Sequence, residues 1–379
     1  MKKVLIFLFV CIIFTTKVFA YDSSIENAIY KESDIADIAD ANTQITEIIP
    51  DFSFSSLIDN LKKGDVIFQP KSIISTFLKL FANEIYININ IMLVIVVLSI
   101  IWGIIANIRS SYNSKAVSDI AFFAFYAIFL GLIVNGLNQC MNLAKTIVSD
   151  QVIFMKAAVP VYSALIMSTG NIATAAGMEP IFLYFIQLIS SVLEKFVLPL
   201  VFWIAILNMV NCITEKFSIK KLIDFVKQAI KWGLGILMTF FVGILGMSGF
   251  TTTVADGLGI KTLKFAVGNF VPVVGGLLSD SINTVIASTT VLKNAMGTVG
   301  VIVIILMCAI PLIKMLALIL IYKLAAGIIE PMADKRITTM ISEAGSAVTF
   351  IFLILLTVTI MFILGITVVI SVSNKLGAG

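Results

Sequence analysis

Six runs of apolar residues leave this chain little choice of architecture. They fall at about 86–108, 118–137, 186–211, 232–250, 298–323 and 346–370, each close to the ~20 residues a helix needs to cross a hydrocarbon core. Lipid offers the backbone no hydrogen-bond partner, so a crossing segment must satisfy its own N–H and C=O groups as a helix or within a closed barrel. Unbroken runs of this length choose the helix. The composition agrees: 59% of the 379 residues are hydrophobic and 13% are charged, against roughly half and a quarter in soluble domains. The expected fold is an all-α polytopic integral membrane protein, with the lipid bilayer as its first partner.

Residues 1–20, MKKVLIFLFVCIIFTTKVFA, place Lys2 and Lys3 before a short apolar stretch and end in Val18 and Ala20. That is the layout of a secretory signal peptide cleaved after Ala20. Residues 21–85 then read as an acidic extracytoplasmic segment, with Asp22, Glu26, Asp34, Asp37, Asp40 and Asp51 among apolar residues at loosely helical spacing. With residue 86 outside, the spans alternate. The loops expected in the cytoplasm carry Arg109 and Lys115, then Lys216, Lys220, Lys221, Lys227 and Lys231, then Lys335 and Arg336, as the positive-inside rule asks. The stretch EKFSIKKLIDFVKQAIKW reads as a basic amphipathic helix lying on the inner face. The net charge of +4 is spread over these loops and leaves no footprint for nucleic acid.

A shift of 112 positions lays Val159-Pro160-Val161 on Val271-Pro272-Val273, Asn171 on Asn283, Pro199 on Pro311 and Gly131 on Gly243. One constant offset is the mark of a tandem internal repeat. It divides the chain into a first span and its loop (86–117), membrane repeat 1 (118–231), membrane repeat 2 (232–345) and a last span with its tail (346–379). Each repeat holds two crossings with a Val-Pro-Val segment between them, at 158–176 and 270–288. Proline removes a donor and glycine loosens the backbone, so these two segments read as broken or re-entrant. Such backbone is tolerated at membrane depth only when it is buried in protein or lines a wet cavity. Pro160 and Asn171 in the first copy, with Pro272, Gly275, Gly276, Asp280 and Asn283 in the second, are the candidate path-lining residues.

Glu194 and Lys195 lie in the third apolar run and Lys314 in the fifth. A charge at the bilayer centre costs about 2.5–3.5 kcal/mol on insertion scales, so such groups are expected to pair. Glu194 with Lys314 is the candidate intramembrane ion pair. Catalytic, cofactor and metal sites are not expected. The chain has no histidine and only scattered cysteines, which removes the usual zinc spacings and Cys/His or Ser/His catalysis. It also lacks a phosphate-binding loop and the GxSxG and HExxH motifs.

The stretch IYKLAAGIIEPMADKRITTMISEAGSAVTFIFLILLTVTIMFI (321–363) carries a Tyr-Lys-Leu-Ala run, then Glu-Pro, then Asp334-Lys335-Arg336-Ile337 before a last span. Together with FVPVVGGLLSDSINTV, Lys261 and Lys264 upstream of it, the signal sequence and the acidic segment, it resembles the stage III sporulation protein AE family of endospore-forming bacteria over nearly its full length. The resemblance implies a non-enzymatic, multi-pass protein of the mother-cell membrane around the forespore. It would belong to the channel complex joining the two cells and be needed for late forespore development. Its implied partners are the other proteins of that complex, including ring-forming ones, and self-association into a homo-oligomer is compatible with it. The family supplies no catalytic residues. Two function classes stay open on the residues alone: a component of a multiprotein conduit or secretion-like apparatus, and a permease-like secondary transporter or permease subunit with a substrate site between the repeats.

Overall fold

The structure, a computed structural model, describes residues 70–110, 115–169, 171–213, 219–244 and 275–374. Helix α1 (Pro70–Ser110) begins on a proline, whose missing N–H costs nothing in a first turn. Helix α2 (Lys115–Ser168) is followed by α3 (Ile172–Val192), a π-helical turn (Leu193–Val197) and α4 (Leu198–Asn211). Helix α5 covers Lys220–Ile244, α6 runs from Gly275 to Ile329 and α7 from Lys335 to Asn374. Among the described residues, six helical stretches are long and apolar enough to cross a membrane, from Ser75–Ala106 to Lys335–Val369. The chain is an all-α, multi-pass membrane protein.

Lengths are where the structure departs from expectation. Helices α2 and α6 have 54 and 55 residues, so at 1.5 Å per residue each is roughly 80 Å long, well over twice the ~30 Å of a hydrocarbon core. The described part of the basic amphipathic stretch, from Lys220 on, and the fourth span, read as separate, are one helix, α5. The two Val-Pro-Val segments come out differently: the first does break inside 158–176, though not at its proline, and the second lies only partly among the described residues. Pro160 lies inside α2 without ending it: it sits on the same exposed face as Ile153, Lys156 and Ala164, where the carbonyl that loses its donor can turn to water. The break comes later, at Thr169–Asn171. In the second copy, Gly275, Gly276, Asp280 and Asn283 all belong to the continuous helix α6, while Pro272 and residues 1–69 lie outside the described residues. The sequence gives the reason. Gly170 stands between Thr169 and Asn171, and the 112-residue shift puts Ile282 in its place; a β-branched residue cannot supply the backbone freedom that closes a helix.

Helices α6 and α7 form a central antiparallel pair. Pro331 stops α6, the N–H groups of Met332 and Ala333 bond back to the carbonyl of Ile329 at 2.9 and 2.8 Å, and Asp334 caps α7 by accepting the Arg336 backbone N–H at 2.9 Å. Helix α2 packs against both central helices, α1 against α6, α4 against α7, and α3 folds back on α2. Two close approaches lock α2 to α6. The Tyr322 hydroxyl of α6 rests on Gly136 of α2, and the Tyr162 hydroxyl of α2 rests on Gly300 of α6. Each helix thus lends the other a glycine where any Cβ would collide with a phenol.

Candidate functional site

The turn between α2 and α3 is built from its own polar side chains. Thr169 Oγ1 donates to the Ile166 carbonyl at 2.7 Å, Asn171 Nδ2 donates to Thr169 Oγ1 at 2.7 Å, and Asn171 N reaches the same Ile166 carbonyl at 3.2 Å. Thr169 and Asn171 are both buried. Of the candidate path-lining residues, Asn171 therefore closes a helical hairpin and Pro160 faces outward on its flank.

The candidate ion pair is replaced by a different one. Lys314 Nζ lies 3.8 Å from Glu84 Oε1, and Asn88 Nδ2, one turn along α1, donates to the Glu84 carbonyl at 2.9 Å. Glu194 instead accepts the Ser190 hydroxyl at 2.8 Å. It stands with Lys195, Lys145 and Asp150 around a cleft of about 520 Å³ between α2 and the π-helical turn. The π-turn has a local cause: Pro199 has no N–H for the Lys195 carbonyl four residues back.

These charged groups share a level on the bundle. A Cβ on Gly103 would lie 2.8 Å from the Met332 carbonyl oxygen, which sets α1 against the α6–α7 link. From that contact, Glu84 lies about 29 Å along α1, and Lys314 lies about 23 Å along α6 from its end at Ile329, just before Met332. Large exposed apolar side chains gather below them. On α1 they run from Tyr86 to Ile104, on α2 from Ile120 to Leu132, from Phe196 in the π-helical turn into α4 as far as Val210, on α5 from Leu222 to Ile236 and on α6 from Leu320 to Ile328. Glu84 comes two residues before that stretch of α1, and Glu194 and Lys195 come directly before that of α4. The α1 stretch rises about 27 Å. Above the level, exposed large apolar side chains are scattered: Leu78, Ile153, Met167, Ile172, Tyr184 and, on α5, Phe240, whose neighbour Phe241 stacks on Phe182 of α3.

A second polar layer closes the opposite end. Asn208 Nδ2 donates to Glu343 Oε2 at 2.5 Å, and Lys227 Nζ stands 4.0 Å from the same oxygen. Lys323 Nζ donates to the Ser342 carbonyl at 2.9 Å and to Ser346 Oγ at 2.9 Å. Arg336 grips Asp334 at 3.0 Å and lies 3.7 Å over the ring of Phe122. Tyr126 donates to the Met209 carbonyl at 2.5 Å. These bonds tie α2, α4, α5, α6 and α7 together. Just beyond the end of α4, burial and then the charge of Glu343 push the Cys212 thiol up to about 11.

Sequence reasoning missed a buried node among α2, α6 and α7. Gln151 Nε2 donates to Thr359 Oγ1 at 2.9 Å, and Cys308 Sγ lies 3.0 Å from that hydroxyl. All three side chains are buried. Among the described residues, Gln151 Oε1 has no hydrogen-bond partner. A lone Gln, Thr and Cys on separate helices leave no linear pattern, which is why only the fold brings them together. No group of three or more metal-ligating side chains occurs among the described residues.

Comparison with known proteins adds to this geometry. The family model described as Stage III sporulation protein AE matches residues 52–373. Stage III sporulation protein AE of Bacillus subtilis (strain 168) is 30% identical over 335 residues, covering 88% of this chain and 84% of that protein. No solved structure matches the chain.

Proposed function

We propose, from the premise that this chain belongs to the stage III sporulation protein AE family, that it is the non-enzymatic, membrane-embedded part of the channel complex between mother cell and forespore. The bilayer, in this reading, covers only the apolar belt between the two polar layers. The remaining half of the bundle projects from it: the α2–α3 hairpin beyond Asp150, α6 before about Cys308 and α7 beyond about Thr359. The belt carries the reading, because its ~27 Å rise on α1 is close to the ~30 Å of a hydrocarbon core, whereas α2 and α6 are roughly 80 Å long. Pro70 lies at the projecting end, so the acidic segment before it enters from the same side. The positive-inside rule places Lys227, Lys323, Lys335 and Arg336 in the cytoplasm and the projection in the space between the two membranes. There it would meet the other proteins of the complex.

Within the belt, the interface of α2, α6 and α7 is filled by Phe129, Ile133, Leu137 and Tyr322, all buried. We therefore place a conduit between chains, or between this chain and its partners, rather than through the middle of one copy. Single cysteines test the projection in a chain lacking its own. In cells, a membrane-impermeant maleimide should label positions 156 and 184 from outside and spare 97 and 203. Protection of 156 and 184 would sink the reading. For the role itself, Tyr184→Glu and Met167→Glu should lower late forespore gene expression at normal protein level if the projection docks partners; full expression would count against docking there.

A further inference from the structure

We propose that the cleft between α2 and the π-helical turn binds the phosphoethanolamine headgroup of a membrane phospholipid. This rests on the placement of the bilayer over the apolar belt. The cleft sits at the upper edge of that belt, directly above Phe196, Leu200 and Trp203, all exposed, so acyl chains lying on α4 would present their headgroup to it. Its lining is Lys145, Thr146, Ser149, Asp150, Glu194 and Lys195, around about 520 Å³, ample for one headgroup and its water.

The charges select the ligand. Two lysines and two carboxylates sum to zero but are spatially mixed, and among the described residues none of the four takes part in an ion pair. A group that is neutral overall with separated charges fits such a site. Its phosphodiester accepts from the lysines and from the Thr146 and Ser149 hydroxyls, while its ammonium donates to Asp150 and Glu194. A choline headgroup has no N–H to give those carboxylates, and a glycerol headgroup has no cation. The π-turn matters because it widens the helix there, which brings the consecutive residues Glu194 and Lys195 closer in angle than α-helical neighbours. Both therefore serve one cleft.

The test is native mass spectrometry of the full chain taken from vesicles with equal parts phosphatidylethanolamine, phosphatidylcholine and phosphatidylglycerol. We expect retention of one phosphatidylethanolamine at about tenfold over phosphatidylcholine. Asp150→Asn with Glu194→Gln should bring the two to parity, Lys145→Ala with Lys195→Ala should lower retention of both, and Lys145→Arg with Lys195→Arg should keep the preference. Parity in the unmodified chain, preference for phosphatidylglycerol, or a preference that survives the carboxamide pair would each overturn the proposal. Free phosphoethanolamine supplies the control for source. Displacement of the lipid only at a large excess supports a membrane ligand, and displacement at equal concentration overturns it. Because bound lipid is read directly, failure here is separable from failure of the cysteine labelling that tests the projection.

Discussion

Lys314→Met should loosen α1 from the central helices, and its cost can be worked from the structure. At 3.8 Å and an effective dielectric near 20, the attraction between Lys314 and Glu84 is about 4 kcal/mol before solvent is counted. The lysine side chain is 37% exposed and the glutamate 11%, so screening reduces the net contribution of the pair to about 1–2 kcal/mol. Removing the lysine leaves a nearly buried carboxylate without this cation, though still within reach of Asn88 Nδ2 at 3.4 Å, and we expect a loss of about 2–3 kcal/mol. Glu84→Gln leaves a lysine that still reaches water, and should cost about 1 kcal/mol. The double variant should then fall short of the sum by about 1–2 kcal/mol. Reversible unfolding in lipid–detergent micelles, run as a double-mutant cycle, measures this coupling. Additivity within about 0.5 kcal/mol would refute the pairing. The same cycle with Glu194→Gln in place of Glu84→Gln should be additive, because Glu194 bonds Ser190 and not Lys314.

Other substitutions probe other contacts. Gly136→Ala should destabilise by about 1–3 kcal/mol through collision with the Tyr322 hydroxyl, and Tyr322→Phe should restore the melting temperature, since that hydroxyl has no hydrogen-bond partner among the described residues. Asp334→Ala removes the cap of α7 and should cost about 0.5–2 kcal/mol in the same unfolding assay. Alkylation of Cys212 should be slow at pH 7 and rise through the alkaline range, reaching half its plateau only near pH 11 where an ordinary thiol reaches it near 9.0; Glu343→Gln should move that midpoint to lower pH. For stability the sign follows from the raised value. The thiol is neutral in both states below about pH 9, so its contribution is constant there, and it is lost between 9 and 11 as the unfolded chain ionises first.

The six spans were legible because lipid imposes one rule on composition and length. Helix length was not, and the reason lies in particular residues. Lys145, Asp150 and Lys156 interrupt the apolar pattern and fall between the spans read from it, yet they mark a face of one continuous helix: Lys156 Nζ donates to Gln187 Oε1 at 2.5 Å across the α2–α3 hairpin. Pro160 looked like a break because proline usually is one; its exposed position on α2 removes the penalty, and nothing local in the sequence reveals exposure. The ion pair went to the wrong carboxylate for a similar reason. Glu84 falls two residues before the first span as read from hydropathy, so it counted as outside the membrane, whereas its register against Lys314 is set by α1 packing on α6. The hairpin turn at Asn171 was closer to being readable, since Gly170 and Asn171 are both helix-closing residues.

The order of synthesis gives the Glu84–Lys314 contact a further meaning. About 230 residues separate the two, so at 5–20 residues per second the ribosome needs roughly 12–46 s after making the acid to make its base. During that interval α1 is already a candidate for release into lipid, carrying a carboxylate whose cation does not yet exist. A carboxylate at the rim of the apolar belt can wait in the headgroup layer, as one at mid-membrane could not. The late arrival of α6 then recruits α1 laterally, making assembly of this bundle a delayed, post-insertion event in which the first of the described helices is secured by one of the last.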